Sequence, residues 1–239
     1  ERKWGRKQKH DYGTDETITI LGLGSLLSQR SARTTFPELS NFRLGRVPYY
    51  RRIFGHPASI FFQRGIANME TKEFSSLSAE FVNDAFPGFV CTVFEASAQL
   101  LMEDGVPSQA FLEREEEFNI ITVPFLEQDG SEHQGILCAK GSDAMYLKRW
   151  GQEKFDHNYR NYGIETIWGW KEDSGLRPCA IYLRHCLLAT KLLGNKCFDS
   201  FLDETFLVDR QSTIREYLKE NPQVMSTLPP IELAEKYGG

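Results

Sequence analysis

Two short segments of the 239-residue chain combine residue types that could do chemistry. The first is ILGLGSLL at residues 20–27, where glycines follow a β-branched run. Glycines let the backbone approach a ligand and can aim several N–H groups one way, which suits a carboxylate or a phosphate. A structural turn, a dinucleotide-binding loop and a small-anion cradle are the three interpretations. The dinucleotide fingerprint G-x-G-x-x-G fails, since its third glycine would fall at Leu27.

The second segment is LEREEEF at residues 112–118, which places four carboxylates within five positions. A solvated helix face is the ordinary interpretation of such a run. Two features favour another one. The helix dipole disfavours acidic residues at a helix C-terminus, and Phe111 and Phe118 bring apolar surface to both ends of the run. A carboxyl group held against apolar surface has a raised pKa and can serve as a proton shuttle.

The cysteines and histidines show no pattern of a metal or redox site. Five cysteines are scattered without a C-x-x-C pair, and five histidines lack metal-binding spacing. We therefore expect no structural zinc and mostly buried thiols in an intracellular, reducing compartment. His185 and Cys186 are neighbours on a predicted helix and point about 100° apart, so they are interpreted as packing residues.

The elements that must position the two segments follow from periodicity and turn residues. Strands are predicted over residues 17–21, 50–54, 59–63, 77–82, 88–94, 119–125 and 134–139, with turns at 55–57 and 128–131. Helices are predicted over residues 31–35, 97–102, 109–117, 178–193, 205–207 and 212–218, and one or two helices over residues 142–162. These elements predict one α+β domain, with a core over residues 17–140 and a helical extension over residues 141–239 packed on it.

Composition limits the partners of the chain. The net charge of −5 argues against a dedicated nucleic-acid binder, and no apolar run is long enough for a membrane span. Residues 1–16 form a basic N-terminal tail, with five lysines and arginines among the first ten residues. A solvated tail is the ordinary interpretation, and a docking arm for an acidic protein partner is the alternative.

The order of these parts resembles the γ-glutamylcyclotransferase-like family. That family carries a Y-G-S-N/L-L loop after its first strand, and Gly24-Ser25-Leu26-Leu27 matches it. A strand similar to G-x-V-Y-x-L follows at residues 88–94. The resemblance covers about residues 17–139 and implies a mixed, barrel-like sheet. The last third is similar to a larger plant and algal branch, which implies the cytoplasm or a plastid.

The family motif L-D-x-x-E implies the catalytic residue. Here Glu113 stands at the Asp position and Glu116 at the catalytic position. Glu115 is the second choice, because Arg114-Glu115 resembles the R-E of some members. The substrate-binding residues implied are Gly24, Ser25, Leu26 and Leu27.

The resemblance implies cyclisation of a small γ-glutamyl substrate to 5-oxoproline, as in glutathione metabolism, with no metal and no cofactor. The leaving group stays open between an amine, an amino acid and a peptide. Intramolecular attack gains from proximity, and one Glu can move the proton.

Two departures favour a different class of protein, a binding or structural subunit that keeps the fold. Leu23 stands where the family has a tyrosine, and EFNIITV at residues 117–123 lacks the Gly-Tyr that follows the family glutamate. A carboxyl at Glu116 or Glu115 that faces a cavity beside the glycine turn would favour the enzyme.

Overall fold

The computed structural model describes residues 16–238, so the predicted basic tail lies outside the described residues except for Glu16. The strands are β1 Thr17–Gly22, β2 Ser40–Val47, β3 Tyr50–Pro57, β4 Glu73–Phe81, β5 Phe89–Ser97, β6 Met102–Glu103, β7 Val106–Pro107, β8 Asn119–Leu126, β9 Glu132–Ala139, β10 Arg177–Pro178 and β11 Thr205–Phe206. The α-helices are α1 Gln29–Thr35, α2 Ser59–Gln63, α3 Ala98–Leu101, α4 Gln109–Arg114, α5 Asp143–Asn158, α6 Ala180–Leu192, α7 Asn195–Asp203, α8 Ile214–Glu220 and α9 Ala234–Tyr237.

Five strands close into a ring. β1 pairs with β5, β5 with β2, β2 with β8 and β8 with β9, all antiparallel. β9 then returns to β1 in a parallel pairing at Ile20 and Ile136. Closure leaves these strands without a free edge. The predicted single α+β domain with a mixed, barrel-like sheet is therefore confirmed.

Further strands extend the sheet beyond the ring. β4 joins β9 in parallel, β3 joins β4, and the short strands β10 and β11 pair with β4 and β3. Residues after 140 thus contribute two strands to the sheet as well as helices. The buried Arg52 on β3 donates to Thr205 Oγ1 at 2.8 Å and lies between the rings of Phe89 and Phe201. Its guanidinium links the barrel to β11 and α7.

Three predictions of local structure are wrong. Residues 59–63 form the helix α2 rather than a strand, with the Phe61 N–H donating to the Ala58 carbonyl and the Arg64 N–H to the Ile60 carbonyl. Residues 55–57 continue β3 through a bulge instead of turning. Residues 205–207 were expected to be helical, but Thr205–Phe206 pairs with β3 as β11. Each of these segments is short, and distant partners decide its conformation.

The helix α6 is buried as its apolar sequence predicts. It starts at Ala180, and Gly194 follows its end with a φ of 93°. Its residues Leu183, Cys186 and Leu187 pack in the largest hydrophobic cluster with barrel residues such as Val93. The helical extension and the barrel therefore share one core. Among residues 16–238, no helix has both the length and the apolar character needed to span a bilayer.

Gly88, just before β5, offers a stability test. Its φ is 77°, and an added Cβ would lie 1.7 Å from the carbonyl oxygen of Val47. We expect Gly88→Ala to lower the free energy of unfolding by about 3 kcal/mol, because the β2–β5 pairing must shift. Urea unfolding measures this. The matched control is Gly130→Ala in the β8–β9 hairpin, where φ is 87° but an added Cβ meets no atom within 4 Å.

The free energy of unfolding of Gly130→Ala should fall by only ~1 kcal/mol, which is the cost of placing alanine in the left-handed backbone conformation. Equal losses in the two variants would contradict the steric argument.

Candidate active site

A cavity of about 580 Å³ lies between the barrel and the helical extension. The turn at residues 24–26, the first residue of α2 and the acidic residues 115–117 all line it. The structure thus brings the two chemistry-bearing segments of the sequence to one cavity, although about ninety positions separate them. Leu27, the fourth predicted substrate-binding residue, is fully buried in the core and is not among the lining residues.

The glycine turn is shaped by a tyrosine from α6. The Ser25 N–H donates to Tyr182 Oη at 3.2 Å. A Cβ added at Gly24 would lie 2.1 Å from the same oxygen, so only glycine fits there. Burial raises the pKa of Tyr182 well above its usual value, so the phenol stays neutral. The phenol hydroxyl that Leu23 lacks is thus present beside the turn, supplied by a helix about 160 positions later.

The acidic run leaves the helix before its last three glutamates. α4 ends at Arg114, so the predicted helix over residues 109–117 is too long by three residues. Residues 115–117 form a turn in which each carboxyl has different neighbours. Glu115 is the C-cap of α4, so the three carboxyls still lie beside the helix C-terminus, where the dipole disfavours their charged forms.

Glu116 is held by four donors. Its Oε1 accepts from Ser59 Oγ at 3.0 Å, Asn158 Nδ2 at 2.9 Å and Tyr146 Oη at 3.3 Å. Its Oε2 lies 2.7 Å from Lys154 Nζ. A carboxylate with this many partners is fixed in position.

Glu117 has the environment of a proton carrier. It is buried, with 7% of its surface exposed, and its Oε1 accepts from Tyr159 Oη at 2.6 Å and from the Ser59 N–H at 3.2 Å. Burial, together with the nearby charge of Glu116, raises the pKa of Glu117 from 4.5 to about 7. A group with a pKa near neutrality both accepts and returns a proton easily.

Glu115 is the third carboxyl of the turn. Its Oε1 lies 3.1 Å from Arg114 Nε, and the Cys138 thiol is a further hydrogen-bonding partner. Burial raises the pKa of Glu115, although the Arg114 cation opposes the shift. Both residues that the sequence selected, Glu116 and Glu115, therefore line the cavity. Their catalytic role stays a prediction.

The sequence reasoning missed Glu117 and the side chains that hold the acidic turn. Four of those lie on α5 at a spacing of four residues: Tyr146, Trp150, Lys154 and Asn158. Each contacts Glu116, Trp150 through the backbone carbonyl. Gly151, with a φ of 80°, interrupts α5 between Trp150 and Lys154, so the spacing of four residues does not by itself place all four on one side of a helix. Within each half of α5 the spacing is a helical signal, but the kink that brings both halves to Glu116 has no local pattern in the sequence.

The raised pKa of Glu117 predicts how stability depends on pH. The folded state holds its proton up to about pH 7, whereas the unfolded carboxyl loses it near pH 4.5. The folded state therefore binds more protons in this window, and the free energy of unfolding falls as pH rises through it. The free energy of unfolding of Glu117→Gln, relative to that of the parent, should therefore increase by roughly 3 kcal/mol between pH 4.5 and 8.

Urea unfolding of both proteins across this range measures the difference. Glu153→Gln on the exposed side of α5 is the control and should leave the parent's pH dependence unchanged. A constant difference between Glu117→Gln and the parent would show that Glu117 titrates normally.

Comparison with known proteins gives similarity at the level of structure. No family model and no curated protein sequence matches the chain. Among solved structures, a γ-glutamyl cyclotransferase is 15% identical with a TM-score of 0.38, covering 63% of this chain and 89% of its own.

A yeast γ-glutamyl cyclotransferase described as specific to glutathione is 10% identical with a TM-score of 0.43, covering 89% of this chain and 96% of its own. A human protein described as uncharacterised is 16% identical with a TM-score of 0.39, covering 63% of this chain and 89% of its own. Such identities and TM-scores assign neither a substrate nor a role to any residue. The plant and algal branch stays a prediction.

Proposed function

We propose that the chain cyclises a γ-glutamyl group to 5-oxoproline and releases the group attached to its γ-carbonyl. In this reaction the α-nitrogen bonds to the γ-carbonyl carbon, the bond from that carbon to the leaving nitrogen breaks, and one proton moves from the attacking to the leaving nitrogen. Neither a redox change nor a second substrate is involved.

One observation carries this proposal: the glycine turn and a carboxyl with a pKa near 7 line the same cavity. A cavity that curls the substrate brings its amine to its own carbonyl, which gives the large rate advantage of an intramolecular reaction. About 580 Å³ is within the range of small-molecule sites.

We assign the proton transfer to Glu117 rather than to the sequence choices Glu116 and Glu115. The amine must lose a proton before it attacks, and a carboxyl near neutrality can accept it and pass it to the leaving nitrogen. Glu116, held by Lys154 and three further donors, supplies the fixed charge that contributes to the raised pKa of Glu117.

We assign to the glycine turn the stabilisation of the substrate's γ-carbonyl oxygen. As the amine attacks, negative charge develops on the γ-carbonyl oxygen, and backbone N–H groups are suited to stabilise it. The Ser25 N–H is engaged by Tyr182 Oη. We therefore assign the oxyanion to the N–H groups of Gly24 and Leu26.

The alternative, a binding or structural subunit, is less well supported. Its basis was two departures, the absence of a phenol at position 23 and the missing Gly-Tyr at residues 117–123, and Tyr182 addresses the first by bringing a phenol to the same turn. The three carboxyls also line the cavity, which a subunit without catalysis does not require.

The test is to incubate the full chain with γ-glutamyl amines, γ-glutamyl amino acids and γ-glutamyl peptides and to quantify 5-oxoproline. Glu115→Gln, Glu116→Gln and Glu117→Gln are measured beside the parent. We expect product from at least one substrate and the largest loss in Glu117→Gln. No product from any compound would favour the subunit.

A further inference from the structure

The segment of residues 231–237, here called the closing segment, places a cation at the cavity. Its Tyr237 is 3% exposed, packs against the His185 ring at 5.8 Å and accepts a hydrogen bond from Arg64 Nη1 at 3.1 Å. The neighbouring Lys236 lines the cavity together with Tyr237. The anchored tyrosine therefore fixes where the lysine lies.

The cations of the cavity fall into two pairs. Lys154 and Arg114 each contact a carboxylate, at 2.7 Å and 3.1 Å respectively. Within residues 16–238, neither Lys236 nor Arg64 has a carboxylate within salt-bridge distance. Although Lys236 is exposed, desolvation by the neighbouring cavity wall, with repulsion from Arg64 and Arg114, lowers its pKa. Two neighbouring cations without an acidic partner favour an anion from outside the chain.

Position within the cavity indicates which part of a ligand meets these cations. Glu117, to which the reacting end must come, is buried, whereas Lys236 is exposed and Arg64 is half-buried. A γ-glutamyl compound that reaches Glu117 extends its leaving group towards the exposed side. The cations then face the leaving group rather than the glutamyl part.

We infer that Lys236 and Arg64 bind a carboxylate on the leaving group, so that the cavity takes γ-glutamyl amino acids or peptides in preference to γ-glutamyl amines. This rests on the proposed function for the orientation of the ligand. Lys236 is the specificity-determining residue, and Arg64 additionally holds the closing segment through Tyr237.

The test measures binding without turnover. Glutarylglycine is γ-glutamylglycine without the α-amine, so it cannot cyclise, and glutarylglycinamide differs from it by the terminal carboxylate alone. Calorimetry with the full chain should show roughly ten-fold tighter binding of the acid than of the amide, as expected for a charge-assisted contact. Lys236→Gln should reduce this ratio to near one, and Lys236→Glu should reverse it.

The control is Lys148→Gln, which removes the same charge from an exposed site on α5 and should keep the parent's ratio. Equal binding of acid and amide by the parent, or an unchanged ratio in Lys236→Gln, would overturn the inference. The 5-oxoproline assay is separate. Selective binding of the acid without product from any γ-glutamyl compound would refute the proposed reaction and leave the carboxylate site in place.

Discussion

Replacing Glu117 by Gln should reduce kcat for 5-oxoproline formation by ~10²- to 10⁴-fold, the usual contribution of a positioned acid or base. Gln keeps the size of the side chain and can still accept from the Tyr159 hydroxyl, but it cannot carry the proton. Substrate affinity should change little. The measurement is kcat and KM with the best substrate of the panel, and Glu153→Gln is the control for the loss of one negative charge.

Glu116→Gln should behave differently. In the parent, kcat/KM should rise with pH through about 7 as Glu117 loses its proton, because the charge of Glu116 helps to raise the pKa of Glu117. Removing that charge should move the rise to lower pH. A Glu116→Gln profile that keeps the parent's midpoint while kcat falls by as much as in Glu117→Gln would instead favour the assignment that the sequence motif implies.

Gly24→Ala should lower kcat/KM by ~10²-fold. The new Cβ would lie 2.1 Å from Tyr182 Oη, so the turn must move, and a displacement of about 1 Å in a positioning group costs that much. The double variant Gly24→Ala with Tyr182→Phe removes the clashing oxygen and should recover part of the rate. Tyr182→Phe alone is the reference, because it frees the Ser25 N–H without moving Gly24.

No recovery in the double variant would mean that Gly24 is required for a reason other than this close approach. Urea unfolding of the same variants separates a local shift of the turn from loss of the fold. A loss of rate with an unchanged free energy of unfolding is then assigned to the turn.

The sequence was sufficient for the parts of the fold with a strong local signal. The β8–β9 hairpin follows from two strand-like runs on either side of the turn at Gly130. The strand β5, which contains Phe94, and the buried helix α6 each follow from a clear apolar run. The segments at residues 59–63 and 205–207 were not predictable in this way. They are too short to show the hydrophobic periodicity of a helix or a strand, and their conformation depends on distant residues such as Arg52.

The candidate site was predictable in location but not in detail. Glycine spacing and the acidic run indicated two segments that share one cavity. Which carboxyl has a raised pKa depends on the burial of Glu117 and on the contacts of Ser59 and Tyr159, which lie about sixty positions before and forty after it. No local pattern contains that information.

The hydrogen bond between Ser25 and Tyr182 joins the glycine turn that follows β1 to a helical residue 157 positions away. On a refolding chain, a contact of such sequence separation forms after local hairpins, because closing a long loop costs chain entropy first. The barrel can thus assemble before Tyr182 contacts the glycine turn. After dilution from denaturant, we expect ligand binding to recover more slowly than the circular dichroism signal of the β-sheet. The ability to bind ligand is then the last property that the refolding molecule acquires.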